Sequence, residues 1–369
     1  MAQKMIDRSV IKLWLLCLSL GVSSWVQAFP ELVRHGYANC ITCHQSPSGG
    51  GLLTPYGRSL SAKILSTWNR EGEEQFLYGV VKPPEWLTLG GDIRTLQLYQ
   101  NRVSRKSAEF IFMQADAEAG ATMGKVSLVA TAGVDHAGDP ISRRHYVNYR
   151  PTDEISFRAG RFLPAFGINT ENHTLATKRG LGRDQSTETY NVEAAYITTN
   201  YDVFLTGIFG RPDNTQLGAE TGISLSSSVF VGNRYKMGVS YLFGSRATAS
   251  RHLAGPYFIL GFSPHFFLLA DSAIQWFSPK NSGGPSTTGF VDNLRLDYEP
   301  LQGLHVYLIQ EYAKADFSST RSVRDAYGIG VQWFPRSHIE INTLYQKQRI
   351  GGNGAPFADF VFTMLHYYL

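Results

Sequence analysis

Two cysteines and a histidine stand together at Cys40-Ile41-Thr42-Cys43-His44. Thiols three residues apart share one face of a helical turn, so both can reach the two vinyl groups of one porphyrin and close thioethers. The adjacent histidine then falls beneath the ring, where its imidazole ligates the iron. The pattern predicts one covalent haem c, attached through Cys40 and Cys43 and ligated by His44. Other chemistries use this spacing less well. A structural zinc site needs four ligands, usually several of them cysteines, and the remaining cysteine, Cys17, lies in a segment expected to be removed. A thioredoxin-like pair belongs near a βαβ pattern, which the chain lacks. A plain Cys40–Cys43 disulfide would leave His44 without a role.

For the sixth position on the iron the candidates are His35, close in sequence, His173, in a long loop further on, or water. Met113, Met123, Met237 and Met364 are also present, three of them inside strand patterns. No distal acid–base constellation is visible, so no catalytic residues are assigned. A basic run crosses 141–183, where Arg143, Arg144, Arg150, Arg158, Arg161, Lys178, Arg179 and Arg183 face only Asp153, Glu154 and Glu171. Rings of Arg and Lys select anions in pores; the same cations could instead neutralise haem propionates.

The segments that carry these residues divide the chain in three. Residues 1–28 read as a cleaved secretory signal peptide: Lys4, Arg8 and Lys12, then apolar Leu13 to Val22, then Val26-Gln27-Ala28 as the cleavage site. With it go three basic residues and Asp7, so the net charge falls from +4 to +2. A balance so near neutral argues against a nucleic-acid partner. Residues 29–85 form a small haem-bearing module. Its Ser46-Pro47-Ser48-Gly49-Gly50-Gly51 loop is followed by Leu60, Ile64, Leu65 and Trp68 at helical spacing, which predicts a helix over 59–76. One such helix cannot bury a porphyrin, so something else must cover the cofactor.

From residue 86 to 369 the period is two. Val126, Leu128, Ala130, Ala132 and Val134 make one apolar face; Tyr235, Met237, Val239 and Tyr241 make another; Tyr327, Ile329, Val331 and Trp333 a third. Turn signals such as Gly232-Asn233 and Pro335-Arg336 separate about sixteen such segments, at 88–100, 108–121, 125–135, 141–150, 154–161, 188–199, 201–210, 220–232, 234–244, 250–262, 265–278, 288–299, 303–315, 323–334, 337–349 and 358–369. Charged residues are 17% of the chain and aromatics 13%, which excludes disorder. After residue 28 no apolar run is long enough for a spanning helix. The second face is mild, rich in Ser, Thr, Gln and Gly, unlike the charged outer face of a soluble sandwich, and no fixed-period repeat suggests a propeller. Val361, Thr363, Leu365, Tyr367 and Leu369 alternate to the carboxyl end, with Leu369 where outer-membrane barrels usually carry Phe. The fold class expected is all-β: a transmembrane antiparallel barrel of about sixteen strands in the outer-membrane lipid, with a small helical haem module at its N-terminus.

Arg158-Ala159-Gly160-Arg161-Phe162-Leu163-Pro164-Ala165-Phe166-Gly167 resembles the strand-to-loop signature of phosphate-selective porin-type barrels. The full layout, with its leader, single Cys-x-x-Cys-His, Tyr56-Gly57-Arg58 and terminal barrel, resembles the fused monohaem cytochrome–porins of iron-oxidising bacteria. That resemblance implies a haem domain held in the barrel and electrons moved across the outer membrane. It also implies a periplasmic electron-transfer protein and an extracellular electron donor or acceptor as partners, and leaves open an extracellular iron oxidoreductase. The alternative is a solute porin, anion-preferring, whose haem module serves as sensor or docking element.

Overall fold

The computed structural model describes residues 30–102, 105–170, 172, 174–214, 219–280, 284–319, 323–352 and 354–369. The leader expected over 1–28 and the ligand candidate His173 lie outside them.

Seventeen strand segments follow one another: β1 Leu87–Arg102, β2 Arg105–Met123, β3 Val126–Val134, β4 Pro140–Ile141, β5 His145–Tyr149, β6 Ile155–Phe162, β7 Thr189–Ile197, β8 Tyr201–Phe209, β9 Thr221–Val231, β10 Tyr235–Ser245, β11 Ala249–Ser263, β12 Phe266–Pro279, β13 Thr287–Leu301, β14 Leu304–Lys314, β15 Val323–Trp333, β16 Ile339–Ile350 and β17 Ala358–Tyr368. Apart from β4 and β5, consecutive strands pair antiparallel, and β17 returns to β1 in a register running from Asp92 opposite Tyr368 to Asn101 opposite Asp359. Both β4 and β5 lie against β3, at its two ends, so together they occupy one position. The sheet is therefore a closed barrel of sixteen staves, and closure removes the sandwich alternative. The sequence segment 141–150 matches this interrupted stave.

Closure also explains the mild second face. Along β9, Ser224, Ser226 and Ser228 are buried while Ile223, Leu225 and Val229 are exposed. The same inversion holds at Glu193 against Val192, Thr206 against Leu205, and Gln332 against Val331. With a side-chain period of two, these staves turn polar groups to the lumen and apolar groups out, while β11 and β12 also turn Leu253, Ile259, Phe267 and Leu269 inward. Aromatic pairs such as Tyr196–Tyr201 and Phe262–Phe266, with ring centroids 5.7 and 5.5 Å apart, flank turns at the rim.

One end of the barrel carries turns of two to five residues, at 124–125, 150–154, 198–200, 232–234, 264–265, 302–303 and 334–338; the other carries most of the longer connections, of which 163–188 is the longest. Into the short-turn end fits the N-terminal segment. Arg34 donates to Glu299 at 2.6 Å and lies over the Phe267 ring; Lys236 donates to the Ala38 carbonyl at 2.9 Å; Thr67 N–H donates to the Phe334 carbonyl at 2.8 Å. Its apolar residues pack partly on each other and partly on the wall: Leu32, Tyr37, Cys43, Leu53, Leu60 and Leu65 form one cluster with Phe334 and Tyr368. Leu52 forms another with Val129, Tyr146 and Phe162.

The helix expected over 59–76 is shorter and earlier. It spans Pro55–Leu60 and continues through a wider turn at Ser61–Leu65. Thr54 caps it, its Oγ1 accepting from Gly57 N–H at 3.0 Å, with Pro55 in the first turn, where a missing N–H costs nothing. It stops because Ser66 is extended and the next residues bond to the barrel's turn at 334–335 instead of to themselves. Trp68, expected on the helix, packs edge-on against Trp333, with centroids 5.5 Å apart.

Candidate functional site

The Cys40–His44 segment closes one helical turn, with the N–H groups of Cys43 and His44 both bonded to the Cys40 carbonyl at 3.2 and 3.0 Å. Gly57 seats the helix on this turn: a Cβ there would lie 2.2 Å from the Cys43 carbonyl oxygen. Tyr56 and Arg58, on either side, bond to Tyr37 and to the Leu89 carbonyl respectively. The Tyr-Gly-Arg segment thus fastens the cysteine turn to the first stave.

His44 Nδ1 lies 3.2 Å from the Gly51 carbonyl oxygen. A carbonyl can only accept, so Nδ1 carries the proton and the lone pair sits on Nε2, the arrangement that metal-bound imidazoles commonly show. Gly51 supplies that carbonyl from a run of three left-handed residues, Gly49, Gly50 and Gly51, at φ +83°, +77° and +68°. Glycine alone adopts this geometry without strain. It also leaves room: a Cβ on Gly49 would come 3.0 Å from Cys40 Sγ, and one on Gly51 would strike the Arg144 guanidinium.

The longest connection, 163–188, does not project from the barrel. Phe166, Ile168, Leu175, Ala176 and Leu181 are buried, and wall residues hold the loop in the lumen. Gly167 N–H donates to Ser240 Oγ at 2.9 Å, Ala176 N–H to Glu311 at 2.7 Å, and Arg251 to the Leu181 carbonyl at 2.5 Å. Asn169 reaches the Ser48 carbonyl at 3.3 Å, joining this inner loop to the N-terminal segment. Between the two lies a cavity of about 260 Å³ lined by Cys40, His44 and Gly49–Gly51 from one and by residues 163–170, Lys178 and Arg183 from the other.

The basic run is largely answered by acids that the sequence places elsewhere. Arg143 pairs with Asp116, Arg144 with Glu118 at 2.7 Å, Arg158 with Glu193 at 2.7 Å, and Arg161 with Glu188 at 3.7 Å. The β6–β7 register sets Arg158 directly opposite Glu193. The local excess of positive charge therefore does not survive folding as an unpaired arginine ring.

Of the sixth-ligand candidates, His35 does not line the cavity. It sits by the short-turn rim, bonded to Arg34 Nε at 3.0 Å, and burial followed by the Arg34 charge pulls its pKa down to about 4. Met113 and Met364 belong to a separate apolar cluster, while Met123 and Met237 are exposed on the outer face. Among the described residues, the histidine that lines the cavity besides His44 is His366, on β17, where Glu340 lies 2.8 Å from Nδ1 and Asp92 3.3 Å from Nε2. Its inward position follows from the alternation of the terminal strand, although the sequence reading did not single it out. Burial pushes the Cys40 thiol up, away from the low values of redox-active thiolates. Among the described residues, no group of three or more His, Cys, Asp and Glu is placed to hold a bare metal ion.

The donor set fits a haem better than a metal ion alone. Two thiols stand on one turn, Cys40 lining the cavity and Cys43 buried in the apolar cluster beside it; the neighbouring histidine has its tautomer fixed, and glycines leave space beside the Cys40 sulfur.

No family model and no curated protein matches the chain in sequence. Solved structures match in fold. Outer-membrane-expressed OmpT of Vibrio cholerae aligns with TM-score 0.61 at 12% identity, covering 78% of this chain and 100% of that one. The anion-selective porin from Comamonas acidovorans gives 0.59 at 10%, covering 77% and 99%, and Pseudomonas putida OprB 0.59 at 9%, covering 77% and 94%. The chain has the porin fold.

Proposed function

We propose that this protein sits in the bacterial outer membrane, holds one c-type haem inside its barrel on Cys40, Cys43 and His44, and passes electrons through the lumen. The inverted alternation supports the membrane: an apolar exterior over a polar lumen is stable in lipid, where a closed barrel leaves no unsatisfied strand edge. The observation that carries the haem reading is that Cys40 and His44 open onto one lumenal cavity while the Gly51 carbonyl fixes the imidazole tautomer. When bound, the haem supplies a one-electron couple at its iron. The chain's own part is to orient and to exclude water. Gly51 holds His44, Gly57 holds the cysteine turn, and the inner loop with the barrel wall encloses what the small N-terminal segment could not. The electron partners on the two sides are a periplasmic redox protein and an external donor or acceptor.

Haem staining after denaturing electrophoresis tests attachment: the full-length protein should stain, and Cys40→Ala/Cys43→Ala should not. His44→Ala should keep the thioethers, change the absorption spectrum and lower haem retention. In liposomes the loaded protein should carry electrons from an internal reductant to an external acceptor. A chain that never stains in a haem-maturing host overturns this reading.

The second reading, an anion-preferring solute porin, rests on the shared fold with porins, one of them anion-selective, and on cations facing the cavity. Planar bilayers separate the two: large open conductance in the intact protein, with no electron passage, favours the porin.

A further inference from the structure

Six cationic side chains line the cavity, and four of them have a carboxylate within 4 Å. Arg94 has Asp92, Arg144 has Glu118, Arg158 has Glu193, and Lys236 has Asp202. Lys178 and Arg183 do not, among the described residues. Arg183 donates to the Pro164 carbonyl at 2.6 Å and stacks on the Phe166 ring at 4.8 Å. Both stand on the inner loop, which the wall pins at Gly167, Ala176 and Leu181.

Two like charges in so enclosed a place are costly. Burial draws Lys178 down to about 8 and Arg183 down to about 10, with Arg183 among the charges that depress Lys178. Asp271 of the wall acts on both and is engaged by the Ile168 N–H at 3.4 Å; Glu220 acts on Arg183 but is held by Arg251 at 2.5 Å; Asp184 also lines the cavity. Among the described residues the other cavity cations are paired and these two are not, an arrangement that suits a bound anion.

We propose that Lys178 and Arg183 form a carboxylate-binding site on the inner-loop side of the cavity. The guanidinium offers a planar fork to both carboxylate oxygens, and the ammonium a compact charge beside it. Such carboxylates have two sources: the propionates of a haem held on Cys40 and His44, which rests on the reading above, or a carboxylate solute crossing the lumen. The site needs only that one of them reaches the cavity.

The test uses full-length protein in two forms, haem-loaded and haem-free (Cys40→Ser/Cys43→Ser), with heat-modifiable migration checking that each variant folds. In the loaded form, Lys178→Met and Arg183→Met should each shift the haem midpoint potential downward, because uncompensated propionates favour the oxidised iron. Lys178→Arg should restore the wild-type value, and Arg179→Met, on the exposed side of the same loop, should leave it unchanged. In the haem-free form under a potassium acetate gradient across a planar bilayer, the reversal potential should move toward cation preference in both Met variants. A shifted midpoint identifies the propionates; an unshifted midpoint with a shifted reversal potential identifies a soluble carboxylate. If folded variants change neither, the proposal is overturned. Failure of haem attachment alone overturns the electron-transfer reading and leaves the bilayer arm to judge the site.

Discussion

His338 stands in the turn between β15 and β16 with its ring fully buried against Tyr78 and Tyr368. Nε2 donates to the Glu73 carbonyl at 2.8 Å, and Nδ1 is buried with no hydrogen-bond partner. Protonating that second nitrogen would bury an unsatisfied N–H, so burial holds the pKa near 4. The sign follows directly. An unfolded histidine titrates near 6.5, so between about 4 and 6.5 the unfolded state binds the extra proton, and docking of the N-terminal segment weakens as pH falls through that window. His35, depressed by burial and Arg34, acts in the same direction. Each contributes up to about 3 kcal/mol at neutral pH. Protease cleavage within 66–80 should therefore rise as pH drops from 7 to 4. His338→Asn, whose residue type tolerates the φ of +69° at this position, should flatten that rise without abolishing it. An unchanged slope would assign the acid sensitivity elsewhere. Arg34→Ala leaves Glu299 buried with His265, His305 and the Gly303 N–H as its remaining partners among the described residues. Stripping one partner from a buried pair costs about 3–5 kcal/mol, so this variant should release the segment at lower urea, read by Trp68 emission.

The short helix and the inner loop show which elements can be read in a sequence and which cannot. The strand segments were legible because a barrel wall is a local pattern: one face meets lipid and the other the lumen at every second residue, and each stave announces itself. The apolar spacing put the helix at 59–76 and missed its start, whose signal is the Thr54-Pro55 cap; its end is not local, since Thr67 and Trp68 leave helical geometry to bond Phe334 and Pro335, far along the chain. The inward course of 163–188 depends on Ser240, Arg251 and Glu311, and the quenching of the basic run on strand register; neither is written in its own stretch. The cysteine motif was plain, whereas the wall that covers it, including His366 and Asp92, emerges only on closure. Packing at Gly57 gives an element-scale prediction. Gly57→Ala must push the helix off the Cys43 carbonyl, which typically costs 1–3 kcal/mol. It should lower haem yield and urea resistance together, while Gly124→Ala, with open space around its Cβ but φ +59°, should cost no more than backbone strain.

At the scale of the molecule, two inserts share one lumen, the N-terminal segment from the short-turn end and the inner loop from the other. Removing residues 30–85 should raise single-channel conductance severalfold while the barrel still forms, because the staves close through β1 and β17 without help from that segment. Heat-modifiable migration of the deletion variant checks closure and bilayer recording checks the opening. A conductance equal to wild type would mean that the inner loop alone sets the constriction.

Cys43 is 3% exposed, in one buried cluster with Phe334, from the turn after β15, and Tyr368, at the end of β17. Leu369 N–H bonds the Gly91 carbonyl at 2.8 Å, and Leu52, a few residues past the cysteines, rests where Gly90 and Gly120 leave room beside that chain end. On the haem reading proposed above, a thioether at Cys43 would have a schedule as well as a geometry. On that reading, machinery that joins porphyrin to thiol would not reach this sulfur through a finished wall, so attachment would precede the meeting of first and last strands, with the carboxyl-terminal strand the door that shuts behind it.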